Sequence, residues 1–322
     1  MAHQSNIAVG GHTVPVWEFD STAQQIDDAV AVLGAASTPQ AALANLGAAV
    51  QENELDNAYF VGGGTGWGSF PVNQRGQAEY SGVAPLFDRW KNSFGNGGAI
   101  TLTQNGVTFT GANPYLAIRQ VLKRALPIGE TYSLSILLHD KSFYTQVITV
   151  PTKNEYSQPV LIGNSMLRLF GPDLFELIVF NGDTIPEVVL IKLEPGKTQT
   201  AAYQKADGTW AMLPQNLDYQ QELAKCQAYY WEGDNLCFHA YRAAGYNAVI
   251  QVPLPGPMRV DSPAVTISGL LISSTGASES ITPASTYGAT SGILIIESPV
   301  STLDGTFVGN AQVISIAVNA EL

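Results

Sequence analysis

"ITLTQNGVTFTG", Ile100 to Gly111, alternates apolar and polar residues on both sides of Asn105-Gly106. Alternation with a period of two is the mark of a strand with one buried face. Asn-Gly is the dipeptide that most readily turns one strand back on the next, so the stretch predicts a β-hairpin. The same design recurs downstream. "TYSLSILLHDKSFYTQVITV" (Thr131–Val150) gives two strands around Asp140 and Lys141, and "LFELIVFNGDTIPEVVLIKLEPG" (Leu174–Gly196) predicts a second hairpin about Asn181-Gly182. Successive hairpins of this kind point to a β-sandwich and not to βαβ units. "PYLAIRQVLKRAL" is ambiguous, because Leu116, Ile118, Val121 and Leu122 also fit imperfect helical spacing.

Composition bounds the function. Only 13% of the 322 residues are charged, and the formal net charge is -12. No Lys or Arg precedes Arg75 and none follows Arg259, so both ends are anionic. Such ends repel the phosphates of nucleic acids and of anionic lipid surfaces. "MAHQSNIAVGG" lacks the basic and apolar regions of a secretory signal, and no apolar run approaches a membrane span. Neither nucleic acid binding nor membrane insertion is expected, and the chain is expected to fold in a cytosol. Cys226 and Cys237 match no metal or redox spacing and read as one core thiol and one strand thiol.

The first fifty residues carry two short helical patterns. In "FDSTAQQIDDAVAVLGA", Ile26, Val30 and Leu33 share a face and Gly34 suits a helix end; in "STPQAALANLGAAV", Pro39 suits the first turn and Leu43 and Leu46 form the apolar edge. Helices this short are marginal alone, so their narrow stripes predict a partner surface, either the chain's own sandwich or a bundle of repeated copies. At the other end, "LDYQQELAKCQAYYW" predicts a helix capped by Asp218, with Leu223, Cys226 and Tyr230 on one face. Short strands follow to the C-terminus, the last being "AQVISIAVNAEL", which is expected to leave an open edge that a further strand or subunit covers. The expected organisation is mainly β: a helical attachment and trimerisation segment (1–52), a sandwich (53–215) and a C-terminal β domain introduced by a helix (216–322).

The succession "LDNAYFVGG", "FPVNQRGQAEYSG", "FDRW", "GETYSLSI", "VVLIKLEPGKTQT", "QELAKCQAYYW" and "VPLPGPMRVDSPAVTIS" resembles fibre proteins of bacteriophages and prophages. "GGHTVPVWEFDSTAQQIDDAVAVLG" is similar to phage head-fibre proteins, and "ALANLGA" to the base of tail fibres. The resemblance implies that the sandwich is of the jelly-roll, carbohydrate-binding-module type and that Tyr115–Leu122 is a strand. It also implies a virion location and attachment to capsid or tail proteins through the N-terminus; the narrow apolar stripes and the final strand's need for cover predict a parallel homotrimer, and the low charge predicts adhesion to cell-surface glycan.

"FVGGGTGWGSFPVNQRG" (Phe60–Gly76) invites a different reading, as a nucleotide-binding loop, but no register gives glycines at i, i+2 and i+5 and no Lys-Ser or Lys-Thr pair follows. It reads as a close-packed turn whose glycines adopt backbone conformations that a Cβ resists. "PVNQRG" reads as loop closure, and Asp88 with Arg89 as a local ion pair beside a core Trp90. Low charge with Tyr, Trp, Asn and Gln suits neutral hydroxyl-rich ligands. The candidate glycan contacts are Trp67, Tyr80, Trp210 and Trp231, for each of which a place in the core is the alternative.

Catalysis finds no constellation. His3, His12, His139 and His239 lie in unrelated contexts, without a zinc-helix motif or a nucleophile elbow. Asp173, Glu176, Asp183 and Glu187 read as the polar faces and turn of one hairpin. No EF-hand-like loop suggests a metal, and no cofactor motif occurs. A non-enzymatic fibre is therefore the expected function. A polysaccharide-degrading tail spike, a ligand-free decorative fibre and a free sugar-binding module are the alternatives.

Overall fold

The computed structural model describes residues 3–9, 12–18, 51–64, 69–95, 97–205, 207–213, 215, 217–242, 247–273, 277–299 and 307–320. The chain forms two compact units, Met1–Gln51 with Thr200–Asn216, and Glu52–Gln199 with Leu217–Leu322. The stripe residues Ile26, Val30, Leu33, Leu43 and Leu46 lie outside the described residues, as does Trp67.

The first unit opens with a hairpin that the sequence analysis did not anticipate. β1 (His3–Val9) pairs antiparallel with β2 (His12–Glu18), in a register running from His3↔Glu18 to Val9↔His12. A Gly-Gly pair between alternating residues is itself a hairpin signal, and Gly10-Gly11 stands there.

The second unit begins with a two-sheet sandwich. One sheet runs, in spatial order, β10 (Val160–Ile162), β11 (Ser165–Phe170), β12 (Leu174–Phe180), β7 (Tyr115–Val121) and β4 (Lys91–Phe94). The other runs β3 (Glu79–Ser81), β5 (Ala99–Thr103), β6 (Gly106–Thr110), β13 (Thr184–Pro195), β8 (Thr131–Leu138) and β9 (Phe143–Thr149). Every pairing is antiparallel, and the chain crosses repeatedly from one sheet to the other. Phe60, Phe87, Trp90, Phe109, Phe175, Leu134 and Ile191 fill the space between the sheets.

Three expectations meet this architecture differently. The hairpin at Ile100–Gly111 forms as β5 and β6, with Thr103 opposite Gly106, so the turn centres on Gln104-Asn105, one residue earlier than the Asn-Gly signal. Tyr115–Val121 is a strand between β12 and β4, and Leu116, Ala117 and Ile118 are buried in succession, so both of its faces are covered there and its apolar residues fail to alternate. The hairpin expected about Asn181-Gly182 does not form. β12 pairs with β11 and β7, whereas β13 pairs with β6 and β8, so this turn carries the chain from one sheet to the other.

The sandwich strands end with β13 at Pro195, short of the expected residue 215. Thr200–Asn216 belong to the first unit and contribute a separate two-stranded sheet, β14 (Ala202–Gln204) with β15 (Trp210–Met212).

Helix α1 (Tyr219–Gln227) follows, its Asp218 carboxylate accepting hydrogen bonds from the amides of Gln220 and Gln221 at 2.8 and 3.2 Å. Such a cap satisfies donors that the first turn leaves open. Leu223 and Cys226 pack on Val72 of the sandwich. The chain then builds a curled seven-stranded sheet: β19 (Ser278–Ser280), β18 (Ala264–Ser273), β22 (Phe307–Asn319), β16 (Tyr230–Arg242), β17 (Ala248–Pro253), β21 (Ile293–Ser298) and β20 (Ser285–Tyr287) in spatial order. Ile250, Leu271, Ile296, Val313 and Val318 bury one face. The final strand, expected to be open unless a further strand or subunit covers it, is covered by strands of its own sheet. β22 lies in the middle, paired along its length with both β16 and β18, and the edges are three-residue strands, too short to recruit another chain readily.

Candidate functional site

Asn57 begins the site. Its backbone is left-handed (φ 50°), and its side chain closes a turn by accepting from the Val72 amide at 2.6 Å and donating to the carbonyls of Val72 and Asp88 at 2.7 and 2.8 Å. Its own amide donates to the Glu222 carboxylate in the first turn of α1, and its carbonyl accepts from the Trp90 indole at 2.9 Å. Thus "LDNA", "PVNQ", "FDRW" and "QELAKCQAYYW", widely separated in the chain, meet at one buried joint.

Asp88, fully buried, accepts from the amide and side chain of Gln74 and from Arg75 at 3.1 Å. Arg89, left-handed at φ 73°, reaches Asp56 through Nε at 3.1 Å and the Val121 carbonyl through Nη2 at 2.6 Å. Asp88 and Arg89 thus each take part in a longer-range pair, with Arg75 and Asp56, and Trp90 is core as expected. "PVNQRG" closes its loop: Asn73 donates to Gln77 and Arg75 to Leu86.

Consecutive tyrosines receive these arginines. The Arg89 guanidinium lies 3.4 Å from the Tyr229 ring centroid and that of Arg75 lies 3.8 Å from the Tyr230 ring centroid, both within cation–π range. Gln74 also donates to the Tyr230 carbonyl at 2.9 Å. Burial, reinforced by the hydrogen bond to Glu232, pushes the Tyr230 phenol well above its ordinary range. Burial does the same to the Cys226 thiol, with Asp88 adding to it, which keeps this cysteine an unreactive core group.

Beside the joint opens a cleft of about 280 Å³. Lys91 of β4, Arg119 of β7, Tyr229, and Arg259 from the loop before β18 line it, with Arg89 at its floor and Ser93 at its side. Arg259 is anchored through its amide to the Ala228 carbonyl, and its guanidinium lies 5.4 Å from the Tyr229 ring centroid. Across the sheet, Lys91 stands directly opposite Arg119, Arg119 opposite Glu176, and Glu176 opposite Arg168. Glu176 is buried and accepts from both arginines, at 2.7 Å from Arg119 and 3.3 Å from Arg168.

Of the candidate glycan contacts, Trp67 lies outside the described residues and the other three have the following surroundings. Tyr80 is corrected to the sandwich core: it is 6% exposed and its hydroxyl donates to Asn73 at 2.6 Å, leaving no ring face for a sugar. Trp210 is half-buried on β15 in the first unit. Trp231 is half-buried against the core of the C-terminal sheet. The four acidic residues expected on one hairpin are also dispersed in role. Glu176 is spent on two arginines, Asp183 accepts from Ser165 at 2.9 Å, and Glu187 lies 3.1 Å from His139.

Among the described residues, no group of three or more His, Cys, Asp or Glu side chains is placed to hold a metal ion, and no helix is long and apolar enough to cross a membrane. Compared with known proteins, the chain matches no family model, no curated protein and no solved structure.

Proposed function

We propose that this chain is a structural fibre protein of a bacteriophage particle, attached through residues 1–52 and adhering to saccharide on the bacterial surface through its β regions. The observation that carries the reading is the joint itself. Four of the seven segments that carry the phage-fibre resemblance across the β regions converge there, and they lock the sandwich to the C-terminal sheet beside a cleft of a size for about one sugar ring. A weak site presented rigidly in many copies gains avidity of ~10² to 10⁴ without any new contact.

A non-catalytic role is favoured over a polysaccharide-degrading one because Glu176 is buried and held by two arginines, Asp183 accepts from Ser165, and Glu187 lies against His139. The homotrimer belongs to the same proposal. Its support is the exposure of Leu270, Ile293 and Ile314 on the C-terminal sheet, together with the apolar stripes of the first fifty residues.

The experiment compares isolated protein with a multivalent bead display for retention on host bacteria, alongside a reducing-sugar release assay on the same cells. Retention that grows with valency, without released sugar, is the expected result. Sugar release would point to a tail spike, and no retention at any valency would leave a decorative fibre.

A further inference from the structure

The protein carries 15 Lys and Arg against 27 Asp and Glu, yet four of those cations gather on one concave surface. Two are neutralised within the fold, Arg89 by Asp56 and Arg119 by Glu176. Lys91 and Arg259 are exposed and have no carboxylate partner among the described residues. Like charges directly opposite each other on adjacent strands are destabilising, and Lys91 faces Arg119 in that position. Glu176 offsets this repulsion only in part, because it is shared between Arg119 and Arg168, and the surface of Lys91, Arg119 and Arg259 keeps a surplus of positive charge. A fold selected for stability alone would place an acid at residue 91.

We infer that the cleft between Lys91, Arg119 and Arg259 binds an oxyanion carried on a hydroxylated chain, the carboxylate of a hexuronate or the phosphate of a polyol phosphate. The inference rests on the adhesion reading and sharpens it, since composition alone favoured a neutral glycan. Two guanidinium groups and one ammonium converge on the space, a donor set suited to carboxylate and phosphate oxygens. The Ser93 hydroxyl, already donating to the Ala117 carbonyl at 3.2 Å, keeps lone pairs for a ligand hydroxyl. Tyr229 contributes shape and not stacking: it is 7% exposed and Arg89 occupies a face of its ring.

The test is titration calorimetry of the full chain with a tri-galacturonate, with a glycerol-phosphate oligomer, and with a neutral trisaccharide of the same length, at low and high salt. The inference expects at least one acidic probe to bind, at least tenfold more tightly than the neutral one, and to weaken as salt rises. Which acidic probe wins tells carboxylate from phosphate. Lys91→Glu and Arg259→Glu, both at exposed positions, each reduce that binding more than tenfold. Lys91→Glu also raises the melting temperature of the unliganded protein, because it turns a repulsive cross-strand pair into an attractive one. Lys153→Glu, away from the cleft, changes neither readout.

Equal binding of neutral and acidic probes, or acidic binding untouched by Lys91→Glu and Arg259→Glu, overturns the inference. Bead retention on host cells separates it from the adhesion proposal. Retention that persists in Lys91→Glu leaves adhesion standing and removes this cleft from it. Oligo-anion binding without cell retention supports the cleft and removes the adhesion reading.

Discussion

The Arg89 guanidinium lies 3.4 Å from the centroid of the Tyr229 ring while its Nε donates to Asp56 at 3.1 Å, so one side chain ties the sandwich to the chain that opens the C-terminal sheet. Both members of the ion pair are about 3% exposed at their side chains. Removing one partner of a buried pair leaves the other uncompensated, at about 3–5 kcal/mol. Arg89→Met is therefore expected to destabilise the unit by about that amount. Asp56→Asn combined with Arg89→Met recovers part of the loss, because no buried charge is left alone. Urea unfolding of the two variants checks this, and equal losses in both would show that the Tyr229 contact, not the ion pair, sets the cost.

Gly64 shows why the opening turn is glycine-rich. It sits at φ 57°, and a Cβ there would lie 2.5 Å from the Pro71 carbonyl oxygen and 2.8 Å from Cδ of the same proline. Gly76 has nearly the same backbone, φ 66°, but open space where a Cβ would stand. Gly76→Ala is expected to cost only the left-handed penalty, about 1–2 kcal/mol. Gly64→Ala adds a steric overlap to it, about 3 kcal/mol or more in total. Chemical denaturation of the pair measures the difference, and equal losses would mean that the turn relaxes freely around residue 64.

The contrast between local and distant information runs through the fold. Alternation and a turn dipeptide sufficed for β5 and β6, because a hairpin is closed by residues next to each other. The same signal at Asn181-Gly182 marked a real turn but not its destination. β12 and β13 are each buried on both faces, and nothing local says which sheet a buried strand joins. The final strand misled for a related reason: its position in the chain is terminal, while its position in the sheet is central. Among the candidate contacts, a single aromatic was an ambiguous signal, since Tyr80 is large enough to be drawn into the core. Lys91, Arg119, Tyr229 and Arg259 come from two strands, a turn and a loop far apart in sequence. The only trace they left was the scarcity of cations in an acidic chain.

Ile314 and Val313 are neighbours on β22 with opposite surroundings. Val313 is fully buried, whereas Ile314 is 58% exposed at the bulge where β22 carries one residue more than β18. Val313→Asp is expected to unfold the C-terminal sheet, since it buries an unpaired carboxylate. Ile314→Asp leaves the unit's melting within the ~0.5 kcal/mol typical of surface changes. If the proposed trimer uses this face, Ile314→Asp also shifts light scattering from the trimer mass toward the 34.3 kDa monomer. A monomeric unmodified protein at micromolar concentration would end the trimer proposal.

Alkaline pH is the condition to which this fold is most exposed, and the sign follows from which groups burial perturbs. Burial raises the Tyr80 and Tyr230 phenols and the Cys226 thiol, so each stays protonated in the folded chain after its unfolded counterpart has ionised. A raised group contributes stability that is complete below its unfolded pKa and lost as pH climbs toward its folded one. The loss begins near pH ~8.5 for the thiol and ~10 for the phenols. Lys192 works the other way: burial lowers its pKa despite Glu194 at 3.3 Å, so its folded form sheds a proton first and stability rises with pH up to about 10.4. Burial raises the Tyr59 and Tyr132 phenols as well, so the raised groups outnumber Lys192, and the net expectation is a decline from pH ~8.5 that steepens beyond ~10. Urea midpoints between pH 7 and 11 measure it. Tyr80→Phe, which gives up the hydrogen bond to Asn73 but also the ionisable group, starts lower at pH 7 and falls less steeply above pH 10 than the parent protein. Parallel slopes for the two proteins would show that Tyr80 does not carry this share of the alkaline sensitivity.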